Sequence, residues 1–144
     1  DDEPAESEAA RRRVTELGLD AHWSWWGERS DVPELLRACD ALIAPSLWEG
    51  LPNAICEALA SGVPVLASNV SDNARLVPDG LHGFVFPPED VDAMSAAILR
   101  FAALPVAERI QMGTRARAFA ERNLSFAACI DAYERLLTSP ERRG

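Results

Sequence analysis

Two short apolar runs constrain what this chain can fold into more than anything else in it. Ala41 to Ser46 (ALIAPS) and Val63 to Ser68 (VPVLAS) are continuous rather than alternating, the pattern of strands buried on both faces of a parallel sheet. Parallel neighbours need a crossover. The stretch between the runs, WEGLPNAICEALASG from Trp48 to Gly62, supplies one with a short helix of about ten residues. Pro52 is expected at the first helical position, where its missing N–H is no loss, and Gly62 is expected as the left-handed residue that ends the helix. Glu49 and Gly50 then lie at the carboxyl end of a strand, and Asn53 and Glu57, four apart, share one helical face.

That placement has chemical content. Ligands of open parallel sheets settle outside the carboxyl ends of the strands, where a starting helix turns unpaired N–H groups and partial positive charge toward them. Gly50 lets a ligand approach the main chain closely. The guest should therefore be anionic, yet a carboxylate stands on each side of the turn. Carboxylates accept hydrogen bonds from hydroxyl groups, so the ligand expected here carries both phosphate and polyol, as a nucleotide sugar does.

Glu49 and Glu57 enclose seven residues, and with the Ala60-Ser-Gly-Val-Pro-Val65 turn they resemble the E-x7-E signature of retaining glycosyltransferases of the GT4 family. Upstream, Gly27 to Leu36 and Asp40 to Ser46 resemble the family's approach to that signature. Downstream, Asp79 to Pro88, with Asp90 and Ala93, resembles its last strand and turn. The resemblance covers most of residues 23 to 99. It implies an α/β fold: a Rossmann-like parallel sheet with flanking helices, the carboxyl-terminal domain of a GT-B fold without its first two strands. Residues 1–144 would form one partial nucleotide-sugar-binding domain, with a leading helix in 1–22, the core in 23–99 and carboxyl-terminal helices in 100–144.

The resemblance also implies roles. Glu49 is the catalytic residue and, with the Gly50 and Leu51 backbone, holds the transferred hexose. The turn Gly50, Leu51, Pro52, Asn53, Ala54 holds the diphosphate, Glu57 holds the ribose, and Arg29 is a candidate base contact. The donor would be a UDP-, GDP- or ADP-sugar, with no cofactor and no metal. The acceptor, a glycan, lipid or small molecule, would bind a separate amino-terminal domain. Three departures stand out. The family's loop at Asn69 to Asn73 is usually richer in glycine, a glutamate often stands where Arg75 does, and nothing matches the Arg and Lys that clamp the diphosphate. The missing strands would be the central pair of the doubly wound order 3-2-1-4-5-6. A strand at 23–26 would lose its neighbour, and the strand at 41–46 would show an open apolar edge suited to self-association. The chain then reads as a fragment of a longer enzyme or a truncated gene product.

The rest of the chain bounds these readings. With 48% hydrophobic and 26% charged residues, its 144 residues suffice for a domain with a core. A formal net charge of −9 argues against a nonspecific nucleic-acid surface. No apolar run reaches the ~18 residues of a membrane span, and the acidic start lacks a signal-peptide pattern. A cytoplasmic protein is expected, membrane-peripheral in the full enzyme. Cys39, Cys56 and Cys129 are odd in number and far apart, so they read as buried thiols and not as a zinc site.

Ala9 to Leu17 reads as a helix stopped by Gly18. His22 to Trp26 reads as a strand whose three tryptophans pack in the core and on helices, with stacking on a base as the alternative. A helix capped by Ser30 or Asp31 follows, then short helical residues at Ala74 to Val77, and longer helices over 106–122 and 126–137. His82 reads as a turn residue in solvent rather than a catalytic base. Asp90 and Asp92 form a D-x-D that invites a metal. Two prolines before them and an apolar helical pattern after them make them a helix cap instead. Two other functions share the resembling architecture or part of it: a half-domain of a sugar phosphorylase or nucleotide-sugar epimerase, and a nucleotide- or partner-binding module without catalysis. A phosphorylase should carry a cofactor lysine, and this chain has no lysine.

Overall fold

A computed structural model describes residues 4–138. By its internal contacts the chain divides into two compact units, Asp1–Ser30 and Asp31–Gly144. In the first, helix α1 (Pro4–Glu16) starts five residues before the expected Ala9. The chain then leaves it through Gly18 in the left-handed region, φ +65. A 3-10 turn covers Asp20–His22.

The strand expected over His22 to Trp26 does not form. Trp23 has extended dihedrals, φ −127 and ψ 130, but the segment pairs with no strand among the described residues. An extended segment becomes a strand only through a ladder of hydrogen bonds. The tryptophans depart from core packing as well. Trp23, Trp25 and Trp26 are all exposed. Trp23 and Trp25 stack on each other, tilted at 5.6 Å, and the Arg11 guanidinium of α1 lies 4.7 Å from the Trp25 ring centre.

The second unit runs α2 (Val32–Ala38), β1 (Leu42–Ala44), α3 (Asn53–Ala60), β2 (Val65–Ser68), α4 (Asn73–Leu76), β3 (Gly83–Phe86), α5 (Val91–Ala102), α6 (Val106–Asn123) and α7 (Phe126–Thr138). The three strands are parallel in the order β1-β2-β3, with Leu42 opposite Val65 and Ala67 opposite Val85. Every residue of central β2 is buried, which is why its sequence is apolar without alternation. Val65 and Ala67 face one cluster with Ile55 and Leu59 of α3, Val77, and Ala116 of α6. Leu66 faces the other, with Phe84, Phe86, Phe101 of α5 and Met112. Among the described strands, β1 is an edge strand that pairs with β2 alone. None of its residues is fully buried and Ile43 is 42% exposed, so the burial on both faces expected of the run at 41–46 is not found, for want of a neighbour on its outer side. The open apolar edge expected at 41–46 is therefore present. Pro45, which has no N–H to donate, follows its last residue.

Two close approaches lock the packing. A Cβ on Gly83 would fall 1.8 Å from the Val65 carbonyl oxygen and 2.6 Å from Val77 Cγ1, so only hydrogen fits where β3 begins beside β2. A Cβ on Gly113 would fall 2.4 Å from the Gly62 carbonyl oxygen, where α6 crosses the turn that ends α3. Gly62 takes the expected left-handed conformation, φ +75. Asp90 is the N-cap of α5, its carboxylate accepting from the Ala93 N–H at 2.8 Å, and Asp92 lies in the first turn. The capping reading of that pair is the observed one.

Two residue-level expectations are corrected. His82 is not a turn residue in solvent: it is fully buried, its Nε2–H donating to the Leu76 carbonyl at 2.5 Å and its ring 4.9 Å from that of Phe119. The turn folds back onto α6, so this one side chain points inward while its neighbour Leu81 stays exposed. The cysteines are not buried thiols either. Cys39 and Cys129 are exposed and Cys56 is half-buried. Cys39 caps the end of α2, and Cys129 lies on α7, which buries none of its residues.

Candidate functional site

The three parallel strands end together, and the loops leaving them carry the polar residues that matter. After β1 the chain passes through Ser46, Glu49 and Gly50 to α3. Glu49 is half-buried, and its Oε1 accepts from the Ser46 hydroxyl at 2.6 Å. Its backbone is held from the loop after β2. The Ser71 hydroxyl donates to the Glu49 carbonyl at 2.7 Å and accepts from the Glu49 N–H at 3.4 Å. Ser68, the last residue of β2, donates to the Ser46 carbonyl at 2.5 Å, and buried Asn73 donates through Nδ2 to the Ser68 carbonyl at 3.0 Å. The loops after β1 and β2 are thus stitched side by side, with the Glu49 carboxylate at the end of the chain of bonds.

The start of α3 differs by one position from the expected one. Pro52 is the N-cap, φ −77 and ψ 72, and Asn53 is the first helical residue. Proline's fixed φ is compatible with either place; here the chain still has to bend between Leu51 and the helix. The Asn53 N–H is used by the Leu51 carbonyl at 2.8 Å, and Pro52 has none to offer. Of the turn expected to receive a diphosphate, this leaves the amides of Gly50, Leu51 and Ala54, which make no hydrogen bond within the described protein. No side chain caps the helix, so the partial positive charge of its first turn is uncompensated by the protein. Asn53 and Glu57 are both exposed and lie one turn apart on the same face.

The structure therefore brings Glu49, Gly50, Leu51, Pro52, Asn53, Ala54 and Glu57 to one end of the sheet. Arg29 is exposed and belongs to the first unit. A cavity of about 170 Å³ lies where all three strands end, between Pro45, Leu47, Ser68, Phe86 and Glu89. It adjoins the Glu49 loop through Leu47. A larger one, about 410 Å³, is lined by Asp40, Gly62, Pro64 and Arg109, at the amino ends of β1 and β2. That is the wrong end of a parallel sheet for the usual ligand site. Sequence reasoning missed the three serines that tie the loops. Their signals were that each apolar run closes on a serine, Ser46 and Ser68, and that Ser71 stands in the polar loop Asn69 to Asn73 after the second run.

An open parallel sheet with helices on both faces, with its polar loops gathered at the strand carboxyl ends, is the architecture of a nucleotide-binding half-domain. Comparison with known proteins makes the class specific. The family model for glycosyl transferases group 1 matches residues 2–103. The UDP-Gal:alpha-D-GlcNAc-diphosphoundecaprenol alpha-1,3-galactosyltransferase of Escherichia coli is 38% identical over 86 residues, 60% of this chain and 22% of that protein. Alr3699/HepE of Anabaena in complex with UDP superposes with a TM-score of 0.86 at 25% identity, covering 95% of this chain and 38% of the other. The same protein in complex with UDP-glucose gives a TM-score of 0.81 at 24% identity, covering 96% and 38%. The chain belongs to the group 1 glycosyl transferases, and it corresponds to the carboxyl-terminal portion of their GT-B fold. It spans about a fifth of the length of the curated relative and under two fifths of the solved one.

Proposed function

We propose that this chain is the donor-binding half of a retaining glycosyltransferase that moves a sugar from a nucleotide diphosphate sugar to an acceptor hydroxyl. The observation that carries the reading is the fixed Glu49 at the strand end, beside an uncapped helix start with Glu57 one turn along. The bond between the anomeric carbon and the diphosphate oxygen breaks, a bond to the acceptor oxygen forms on the same face, and the acceptor's proton passes to the departing diphosphate. The protein's part is to stabilise the leaving diphosphate. Here the Gly50, Leu51 and Ala54 amides do so, Glu49 holds the hexose hydroxyls, and Glu57 holds the ribose. UDP-sugars are the first donors to consider, since HepE was solved with UDP and the E. coli relative is a UDP-Gal transferase.

We take residues 1–144 to serve one donor-binding domain, with the acceptor, a glycan, lipid or small molecule, bound by an amino-terminal domain. A nucleotide-sugar donor goes with the cytoplasmic location expected from the sequence. The exposed edge of β1 suits pairing with a strand of another chain when that edge is not otherwise covered. Thermal unfolding with UDP, GDP and ADP, run beside Glu57→Ala, tests the donor reading. One nucleotide should raise the midpoint of the wild type by a few degrees, about what ~1 kcal/mol of linkage does for a domain of this size. Glu57→Ala should lose that rise. A midpoint indifferent to every nucleotide, or equally raised in the variant, would sink the assignment.

A further inference from the structure

We infer that Ser71 is a positioning residue that holds the Glu49 main chain in place, and so aims its carboxylate. The inference rests on the reading of Glu49 as the hexose-binding glutamate. Ser71 sits in the left-handed region, φ 49, where a residue with a Cβ persists only when its surroundings over-determine it. What holds it there is visible. Its single hydroxyl spans both backbone polar groups of Glu49, donating to the carbonyl at 2.7 Å and accepting from the N–H at 3.4 Å. Glu49 belongs to no helix or strand, so no ladder fixes its two peptide groups, and Ser71 supplies what regular structure would. Ser46 then fixes the carboxylate itself at 2.6 Å.

Its one donor and one of its two acceptor sites are turned to Glu49, so the Ser71 hydroxyl is placed to orient that residue and has no proton left to donate to a substrate. The loop from Asn69 to Asn73, where the resembling family is richer in glycine, thus carries a serine whose side chain does something glycine cannot. A merely structural stitch would change stability alone, whereas a positioning residue changes how well a hexose is held relative to a bare nucleotide.

Three variants separate these roles. Ser71→Ala keeps the strained backbone and loses the hydroxyl, Ser71→Gly relieves the backbone and loses the hydroxyl, and Ser71→Thr keeps the hydroxyl. UDP and UDP-glucose are titrated into this chain and each variant. The Ala and Gly forms should bind UDP within about twofold of wild type and UDP-glucose about fivefold more weakly, the loss of one modest hydrogen bond. The Thr form should stay near wild type. Without ligand, the Glu49 carbonyl ¹³C resonance should move in the Ala and Gly forms and hold in the Thr form. A resonance unmoved in Ser71→Ala overturns the inference whatever the ligands do, and so does wild-type affinity for UDP-glucose in both hydroxyl-free forms. If the resonance moves but the wild type binds neither UDP nor UDP-glucose, Ser71 still positions Glu49, and it is the donor reading that falls.

Discussion

The ring of His82 is held as a neutral imidazole by its surroundings. Nε2 donates to the Leu76 carbonyl, Nδ1 is buried without a partner among the described residues, and the Arg115 charge is near enough to oppose a second proton. Burial is the largest cause and lowers the pKa below its ordinary value of about 6.5, with the Leu76 bond opposing and Arg115 reinforcing. The unfolded chain therefore binds the proton first. His82's contribution to stability is full above pH ~6.5 and is lost as the pH falls from there toward the folded value. Urea midpoints measured from pH 7.5 down to 5 should decline through that window, and His82→Gln, less stable throughout, should show a shallower decline. Identical slopes would remove His82 as the cause. Asp90 was legible as a cap because a polar residue ahead of an apolar period means the same thing in any tertiary setting. His82 was not, because whether a turn residue is buried depends on which way the turn folds, and that is decided by α6, some thirty residues later in the chain.

Among the elements, β1 and β2 could be placed from their continuous apolar runs, and β3 from the family resemblance of Asp79 to Pro88. The segment at Trp23 to Trp26 has strand-like residues and no ladder, and local sequence cannot report whether a partner is present. α7 was legible as a helix from its apolar spacing, yet Phe126, Tyr133 and Leu137 remain exposed, because periodicity names a face without saying what covers it. β1 carries the element-scale prediction. Its outer edge is unpaired among the described strands and Ile43 is part-exposed beside it, a template for edge-to-edge pairing. Sedimentation velocity should show a concentration-dependent dimer for this chain, and Ile43→Lys should shift it to monomer. A wild-type chain that stays monomeric at high concentration would show that the edge is not an association surface.

On the scale of the whole molecule, the fold class and family were readable because one spacing, Glu49 to Glu57, lay between two apolar runs that both form strands. The identities of base, hexose and acceptor were not, since one fold hosts many chemistries. The chain matches 22% of its curated relative's length. On the proposed donor-half reading, this chain incubated with UDP-glucose and acceptors should transfer no sugar. Turnover should appear on adding an amino-terminal domain of the same family that completes the cleft. Transfer by the chain alone would show that one half suffices.

The contact between Gly62 and Gly113 bears on how this half can change over generations. Main chain meets main chain there, with the Arg117 guanidinium also reaching the Ala60 carbonyl. A side chain at Gly113 would push the two helices apart, whereas at Gly62 a Cβ has room, 3.5 Å from the Gly113 carbonyl oxygen, and it is the left-handed φ of +75 that favours glycine. The helix that presents Glu57 is therefore geared to α6: substitutions on their outer faces leave the spacing alone, whereas any side chain at Gly113 changes it.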